Sequence, residues 1–333
     1  MSQAAIVILN YNGEEVLNRF LPSVIEHSQY DCWVIDNCST DHSIELLRDK
    51  FPQISVIELQ ANFGYAGGYN WGLEALKSNY EYFILLNSDV EVSPGWDSKL
   101  VDFLSLNKDY SAVQPKILSA KNKEEFDYAG AGGGFLDALG YPYCRGRILE
   151  TIEREEGQYD DVIQIDWASG ACLAIRSSDF FEQDGFDAHF FAHMEEIDLC
   201  WRLRLAGKKI GYIGTSTVFH LGGATLSRSS AKKLYLNIRN SLSMLYKNLP
   251  SSQFFGVVLL KMIWETLALI SYLLKGQFEF SSAIAKGYWD FTKSWNKLTK
   301  TQKIKNRPIG RSGKVFSILW SYLILRRKKY SQL

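Results

Sequence analysis

The stretch from residue 4 to residue 13 reads AAIVILNYNG, six apolar residues followed by a short polar turn. Three later stretches repeat this design, because the apolar runs 32–35, 54–59 and 82–86 are each followed by polar residues. Patterns typical of amphipathic helices lie between the runs. Strands that alternate with helices form parallel sheets, whose strands are buried on both faces and need no polar alternation. The first hundred residues therefore predict an α/β fold.

The pattern changes beyond residue 111. We expect strands over 112–118, 162–175, 210–213 and 217–219, and helices over 195–206 and 229–248. A further helix is expected from Pro94 to residue 106, with Ser93 as its N-cap. No internal repeat interrupts this series, so one α/β domain over residues 1–248 is predicted.

Composition narrows the class of protein. The chain has 333 residues, of which 46% are hydrophobic and 22% charged, and this excludes a disordered chain or a disulfide miniprotein. Its five cysteines are scattered without a C-x-x-C pair, which favours free thiols in a reducing compartment. The first residues show no charged segment ahead of an apolar one, so no signal peptide is predicted. We therefore expect an intracellular protein.

The C-terminal residues, 249–333, have a different character. Residues 254–274 carry only Lys261 and Glu265 as charges, and residues 286–333 hold thirteen Lys and Arg against one acid, Asp290. A stretch of this length is long enough to span a bilayer, but each central charge would cost about 2.5–3.5 kcal/mol there. The second apolar run, 315–325, is too short to cross and precedes the basic residues 326–329.

These features predict a helical, basic tail that lies on an anionic membrane surface. The protein is then cytoplasmic and peripheral on the inner face of the cell membrane. The alternative is a helical subdomain that packs on the main domain or forms a homodimer through the C-terminal helices.

Ligands of parallel α/β sheets bind beyond the carboxyl ends of the strands. In the first hundred residues, each apolar run is followed at its carboxyl end by polar residues or glycine. The candidates for ligand binding are Asn10, Tyr11, Asp36, Asn62, Gly67, Asn70, Asn87 and Asp89. Taken singly, such residues are common in helix caps and turns, and we expect Ser39 and Asp41 to cap the next helix. Four polar clusters at one sheet edge instead indicate a binding site.

Three of these clusters predict specific contacts. Asp36 directly ends its strand and can accept hydrogen bonds from a base or ribose. The loop 62–70 has three glycines and then opens a helix whose N–H groups would face an anion. It lacks the G-x-G-x-x-G spacing, so a nicotinamide enzyme is disfavoured. Asn87-Ser88-Asp89 offers oxygen ligands with one carboxylate, which suits Mg²⁺ or Mn²⁺.

At this point the chain resembles glycosyltransferase family 2, inverting enzymes of the GT-A fold that use nucleoside-diphosphate sugars. The resemblance implies a Rossmann-like, mostly parallel sheet with helices on both faces. The Asp-x-Asp metal motif of that family follows this strand, and its first Asp is Asn87 here. Asp89 is then the implied metal ligand, with Asn87 nearer the ribose or phosphate. Rhamnosyltransferase-like subgroups commonly have Asn at this position.

Later segments match the same family in order and spacing, so that the resemblance covers residues 4–245. Residues 166–172 resemble the segment under the acceptor and donor sugar, which implicates Trp167, Ser169 and Gly170. Residues 191–202 resemble the acidic motif at a helix start, and Glu196 stands where the catalytic Asp is usual. Residues 218–220 resemble the strand that ends in a metal-binding histidine, His220.

The chemistry of these residues gives a second basis for the roles. Glu195, Glu196 and Asp198 begin a helix, where negative charge is favourable. Asp198 and Arg202 are four residues apart and are expected to form an ion pair. Glu196, with Glu195 as the second candidate, is expected to take the proton of an acceptor hydroxyl. A purely structural role for His220 stays open.

The resulting prediction is a metal-dependent inverting glycosyltransferase with a saccharide or lipid-linked acceptor, acting in surface polysaccharide synthesis and using no nucleic acid. Two alternatives remain. A non-catalytic sugar-nucleotide or glycan-binding module is consistent with Asn87 and Glu196 as degenerate replacements. A nucleotidyltransferase is less favoured, because residues 10–15 lack a Gly-rich loop with Arg or Lys.

Overall fold

The computed structural model describes residues 3–128, 130–222, 230–301, 309–310 and 315–333. The strands in chain order are β1 (Ala4–Asn10), β2 (Asp31–Asp36), β3 (Ser55–Glu58), β4 (Tyr82–Asn87), β5 (Val90–Val92), β6 (Tyr110–Ser119), β7 (Gly134–Leu136), β8 (Pro142–Cys144), β9 (Arg147–Ile148), β10 (Thr151–Ile152), β11 (Val162–Ile165), β12 (Cys172–Arg176) and β13 (Lys209–His220). The α-helices are α1 (Glu14–His27), α2 (Ser43–Lys50), α3 (Gly64–Leu76), α4 (Trp96–Leu106), α5 (Ser177–Glu182), α6 (Glu195–Leu205), α7 (Ala231–Asn248), α8 (Ser251–Leu274), α9 (Phe278–Ser294) and α10 (Ile318–Leu323).

Nine strands form the central sheet in the order β11-β13-β6-β12-β4-β1-β2-β3, with β5 paired to β13. The strands β1, β2, β3, β4, β6 and β13 run in one direction, and β5, β11 and β12 run against them. One apolar cluster packs α1, α2 and α4 on one face, and a second packs α3, α5, α6 and α7 on the other. This confirms the predicted α/β fold with helices on both faces.

Two predicted elements differ in their extent. The expected strand over 162–175 is divided into β11 and β12, because the buried Asp166 turns the chain away from the sheet. Its carboxylate accepts a hydrogen bond from the backbone N–H of Leu136 at 2.9 Å and pairs with Arg204 at 3.2 Å. Helix α4 begins two residues later than predicted, since Ser93 donates its hydroxyl to the carbonyl of Thr217 at 2.7 Å instead of capping the helix.

A second sheet, in the order β10-β9-β8-β7, was not predicted. Its strands have two or three residues each, too few to show any periodicity. Gly134 in β7 lies against Trp167, since a Cβ at this glycine would be 2.3 Å from the indole. This sheet therefore covers the loop between β11 and β12.

The C-terminal helices pack on the α/β domain. In α8, Lys261 and Glu265 are 1% and 5% exposed and pair at 3.0 Å, and Tyr141 donates its hydroxyl to Glu265 at 3.2 Å. The chain then returns to the second sheet, where the backbone N–H of Ile318 donates to Asp137 at 2.8 Å. The two charges of α8 thus face protein. Within the described ranges, α8 is the one helix that is long and apolar enough to cross a membrane, by length and composition alone.

Candidate active site

Asp89 and His220 meet at the end of the sheet. β13 pairs with β5 so that His220 lies opposite Val90, the residue after Asp89. The Nε2 atom of His220 is 3.2 Å from a carboxylate oxygen of Asp89, and both side chains are buried. Asp89 also accepts a hydrogen bond from the backbone N–H of Gly222 at 3.1 Å. The two metal ligands predicted from separate motifs are therefore neighbours.

Asp127 is a third member of this cluster, and sequence reasoning missed it. Its carboxylate lies 3.0 Å from Nδ1 of His220, on the opposite side of the ring from Asp89. A carboxylate behind a metal-binding histidine fixes the orientation of the ring. Asp127 stands in no recognisable motif, and only the general need of such a histidine for a carboxylate partner could have suggested it.

The charges of the cluster depend on one another. Burial lowers the pKa of His220, but the hydrogen bonds to Asp127 and Asp89 outweigh burial and raise it to about 10. Burial raises the pKa of Asp89, and its contacts with His220 outweigh that effect and lower it. A cation that binds here would replace the Nε2 proton of His220, and the neighbouring carboxylates would balance its charge.

The Asp89–His220 pair fits a divalent cation. The donor atoms are 3.2 Å apart, close to the separation of about 3.0 Å that adjacent ligands of an octahedral Mg²⁺ would have. In the described part of the chain no group of three His, Cys, Asp or Glu residues could hold a metal alone. A two-residue site of this kind relies on substrate phosphates for further ligands. The amide of Asn87 borders it, 3.4 Å from Nε2 of His220.

The acidic pair lies at the start of α6. Glu195 is buried and Glu196 is partly buried, and burial raises the pKa of both carboxyl groups. Ionisation of Glu196 raises the pKa of Glu195 further, while the backbone N–H of Gly170 donates to Glu196 and opposes the shift. One oxygen of each carboxylate has no hydrogen-bond partner among the described residues. Such a carboxylate can accept a proton from a bound hydroxyl.

The loop between β11 and β12 joins the two halves of the site. The carbonyl of Ala171 accepts the backbone N–H of Asn87 at 3.0 Å, and the neighbouring Gly170 contacts Glu196. Of the other residues predicted to contact sugar, Trp167 donates its indole N–H to the carbonyl of Phe135 at 2.9 Å, and Ser169 is buried. Gly170 is thus the member of this segment that borders the acidic pair.

The ends of β1 and β2 form the predicted nucleotide side. Asn10 donates to Asp36 at 3.0 Å, and Asp36 also accepts from the backbone N–H of Ser39 at 2.9 Å. The Oδ1 atom of Asn10 has no partner in the described ranges. Tyr11 is 41% exposed beside them. Asn62 follows β3 and accepts from the amide of Asn37 at 3.1 Å, so the loops after β2 and β3 are joined.

In the structure, Gly67 and Asn70 contact other residues of the chain instead of lining a ligand site. Gly67 is buried, and a Cβ there would be 2.8 Å from Cβ of Phe63. Asn70 forms two hydrogen bonds with the backbone of Phe186, at 2.6 and 2.9 Å. The expectation that the N–H groups of α3 face an anion is wrong, because those of residues 65 and 66 donate to the carbonyl of Phe191.

The structure also shows which of the structural roles predicted for Asp198, Asp41 and Ser39 are present. The ion pair of Asp198 with Arg202 is confirmed at 2.8 Å, and Lys247 adds a second cation at 2.9 Å. Asp41 accepts from the backbone N–H of Ser43, the first residue of α2, at 3.1 Å, although the N-cap position itself is held by His42. Ser39 does not cap α2, since its hydroxyl accepts from the backbone of Asn12 at 2.9 Å.

Several known proteins are similar to this chain in sequence. The family model described as Glycosyl transferase family 2 matches residues 5–157. The chain is 28% identical over 247 residues to the N-acetylglucosaminyl-diphospho-decaprenol L-rhamnosyltransferase of Mycobacterium tuberculosis, covering 69% of this chain and 79% of that protein. It is 24% identical over 278 residues to the low-salt glycan biosynthesis hexosyltransferase Agl10 of Haloferax volcanii, covering 81% and 85%.

Solved structures share the fold at low sequence identity. GalNAc-T7 with UDP, GalNAc and Mn²⁺ matches with a TM-score of 0.58 at 17% identity, over 89% of this chain and 58% of that one. Staphylococcus aureus TarS 1–349 in complex with UDP-GlcNAc matches with a TM-score of 0.57 at 14% identity, over 89% and 84%. Residues 5–157 therefore match glycosyltransferase family 2, and the chain has the GT-A fold and is similar to glycosyltransferases, rhamnosyltransferases among them.

Proposed function

We propose that this chain is a metal-dependent inverting glycosyltransferase that moves a sugar from a nucleoside-diphosphate sugar to a hydroxyl of a lipid-linked saccharide in surface polysaccharide synthesis. One observation carries the proposal. The short loop between β11 and β12 contacts Glu196 through Gly170 and Asn87 through Ala171, and Asn87 borders the Asp89–His220 pair, whose side chains are 3.2 Å apart. A cation site for a leaving diphosphate and a base for an incoming hydroxyl are the two groups that such a transfer needs.

The relatives support the substrate class. The M. tuberculosis relative is named for a rhamnose donor and a diphospho-decaprenol acceptor. Two structural neighbours hold a nucleotide together with Mn²⁺. They are GalNAc-T7 with UDP and the mannosyltransferase PcManGT of Pyrobaculum calidifontis with GDP-Man. An activated rhamnose is therefore the first donor to test here.

In the proposed mechanism the residues of the chain act on two sides of the donor sugar. Asp36, with Asn10 and Tyr11, holds the nucleoside. Asp89 and His220 would hold Mg²⁺ or Mn²⁺, which when bound would neutralise charge on the leaving diphosphate. Glu196 takes the proton from the acceptor hydroxyl, whose oxygen attacks the anomeric carbon from the side opposite the diphosphate. Attack from that side inverts the anomeric configuration.

A donor panel tests this proposal. The full chain is incubated with Mn²⁺, a set of nucleoside-diphosphate sugars and a polyprenyl-diphosphate saccharide, and the transfer product is measured with and without EDTA. We expect transfer from one class of donor, with loss of turnover in EDTA and recovery with Mn²⁺. Retention of the anomeric configuration in the product, or turnover that EDTA leaves unchanged, would contradict the proposal.

We also propose that the C-terminal helices lie on the cytoplasmic face of a membrane. One face of α8 carries exposed apolar side chains at helical spacing, among them Leu259, Ile263 and Leu267 at 65%, 55% and 54% exposure. Apolar side chains of α10 and the residues after it, including Trp320, are also exposed. An apolar surface of this extent usually marks an interaction site. The four basic residues 326–329 follow it directly, which favours an anionic lipid surface as the partner.

The buried ion pair of α8 supports a helix that lies along the membrane. Lys261 and Glu265 belong to the face opposite Leu259 and Ile263, and Tyr141 and Tyr288 hydrogen-bond to Glu265. Removing one partner of such a buried pair is costly, by about 3–5 kcal/mol. A spanning orientation would require the helix to leave this network, whereas a helix lying on the surface keeps both the network and the exposed apolar face.

Vesicle binding by the variant Ile263→Asp/Leu267→Asp tests the membrane proposal. We expect the wild-type chain to sediment with vesicles rich in phosphatidylglycerol, and the double variant to bind at least about 10-fold more weakly, because two charges replace apolar contacts with the bilayer. Leu106→Asp is the matched control, since Leu106 is an exposed leucine on α4 of the catalytic domain. The proposal is wrong if the wild-type chain does not bind vesicles. If analytical ultracentrifugation then shows a dimer that the double variant does not form, the exposed face of α8 is a homodimer interface instead.

A further inference from the structure

The backbone just before the acidic pair is strained. Phe191 has a φ of 63°, and the N–H of Ala192 donates to the carbonyl of Phe190 at 2.7 Å, which closes a γ-turn with positive φ. Turns of this hand are rare and strained. His193 and Met194 follow with φ values of 70° and 75°, a region that residues with a Cβ seldom adopt. Three such residues within four positions lead directly into Glu195.

Helix α7 holds this turn through one buried amide. The Nδ2 atom of Asn240 lies within hydrogen-bond distance of three carbonyl oxygens, those of Phe190 at 3.0 Å, Ala192 at 2.9 Å and His193 at 2.7 Å. Asn240 is fully buried, and its own oxygen accepts from Nε of Arg239 at 2.9 Å. The orientation of the amide is therefore determined, with its nitrogen toward the turn.

Arg239 and α3 complete the set of donors. Arg239 donates to the carbonyls of His189 at 3.0 Å and Phe190 at 3.1 Å. The carbonyl of Phe191 accepts from the backbone N–H of Tyr65 at 2.8 Å. Each carbonyl from residue 189 to residue 193 thus has a donor from outside the turn, and α7 supplies the donors for four of the five.

We propose that Asn240, assisted by Arg239, is a positioning residue that stabilises this strained turn and thereby sets where α6 begins and where Glu195 and Glu196 stand. The inference rests on the proposed function in one respect, that Glu196 is the base. Backbone strain persists only where surrounding contacts over-determine it. Loss of the amide would leave buried carbonyls without donors, and the turn would relax toward negative φ and move the carboxylates.

Kinetics of Asn240→Asp and Asn240→Ala test the proposal. Asp matches Asn in size but has no N–H to donate, and Asn240→Ala removes the amide without adding a buried charge. We expect kcat to fall by about 10–100-fold in both variants, since a displacement of about 1 Å can cost about 10²-fold. The KM for the donor sugar and the Mn²⁺ affinity should stay within about twofold, because among the described residues α7 forms no hydrogen bond with Asn10, Asp36 or Asn62.

The matched control is Asn248→Ala. Asn248 is also a buried Asn of α7, and it donates to Asp198 at 2.8 Å and to the carbonyl of Met244 at 3.0 Å, but not to the turn. We expect this variant to lower Tm to a similar extent and to keep kcat within about threefold. A wild-type kcat in Asn240→Asp, or equal kcat losses in Asn240→Ala and Asn248→Ala, would overturn the proposal.

Two further measurements keep the test independent of folding and of the base assignment. Phe191→Gly in the Asn240→Ala background should recover part of kcat, because glycine adopts positive φ without strain. Hydrogen exchange at residues 189–196 should accelerate in Asn240→Asp even if Glu196 proves not to be the base, and unchanged exchange would contradict the proposal. If the Asn240 variants do not fold, Arg239→Ala takes their place, with an expected kcat loss of about 3–10-fold, and no loss counts against the proposal.

Discussion

Glu196→Gln is expected to lower kcat by about 10²–10⁴-fold while the affinity for the nucleotide sugar and Mn²⁺ stays within about threefold. Glutamine keeps the size of the side chain and can accept the hydrogen bond from Gly170, but it cannot take a proton from the acceptor hydroxyl. Steady-state transfer kinetics together with calorimetric titration of the nucleotide sugar separate the two effects. The same experiment distinguishes an enzyme from a sugar-binding module, in which neither form turns over.

Glu195→Gln is the control for the choice of base. Glu195 is the more buried of the two carboxylates and is adjacent in sequence, so its replacement changes the same environment without removing Glu196. We expect a kcat loss of less than about 10-fold in this variant. A larger loss in Glu195→Gln than in Glu196→Gln would transfer the role of base to Glu195.

The pH dependence follows from the direction of the pKa shifts. Burial raises the pKa of Glu196 above its ordinary value of 4.5, and the base acts only when ionised. Activity should therefore fall as the pH drops through this raised pKa. A raised pKa also means that the folded protein prefers the neutral carboxyl, so the stability from that preference is lost as the pH rises through the same pKa. Glu196→Gln should then have a higher Tm than the wild-type chain at neutral pH.

Asp89→Asn is expected to reduce Mn²⁺ affinity by at least about 10²-fold and to abolish measurable transfer, because it removes the carboxylate that lies beside Nε2 of His220. Mn²⁺ binding is measured by electron paramagnetic resonance in the presence of the nucleoside diphosphate, so the readout does not depend on activity. Glu91→Gln is the matched control, since Glu91 lies two residues away and pairs with Lys123 at the surface.

Asp127→Asn extends this test to the carboxylate behind the histidine. Loss of such a partner typically weakens metal binding by about 10–100-fold, so we expect an intermediate effect between Glu91→Gln and Asp89→Asn. Full Mn²⁺ affinity in Asp89→Asn would show that the cation binds elsewhere, and the assignment of the site would then be wrong.

The sequence predicts the parallel part of the sheet well because each buried strand carries its own signal. The apolar runs of β1, β2 and β4 are local features, and the polar residues that follow them must reach one edge once the strands pair in parallel. Asp89 and His220 could be paired from sequence only through family motifs, since 130 residues separate them in the chain. Their contact was predicted, and the structure brings the two side chains together.

Local reasoning failed where a residue's partner is distant in sequence. The sequence groups Asn70 with the ligand-binding loop before it, but in the structure its side-chain amide forms hydrogen bonds with the backbone of Phe186. Serine is a residue type that favours the N-cap position, yet the hydroxyl of Ser93 donates to a backbone carbonyl of β13. The strands β7–β10 are too short for periodicity to indicate them. In each case the competing interaction forms only after the chain has folded.

The amino-acid sequence by itself determined the fold class, the strand ends that carry the candidate ligands, the acidic start of α6 and the apolar, basic character of the tail, because these depend on residues near one another in the chain. Only the tertiary structure decided that Asp127 stands behind His220, that Asn240 holds the turn before Glu195, and that the charges of α8 face protein while its apolar side chains face outward. The physical reason is that hydrogen bonds and burial are satisfied between distant segments, and a pattern in the sequence does not specify which distant partner a polar side chain will find.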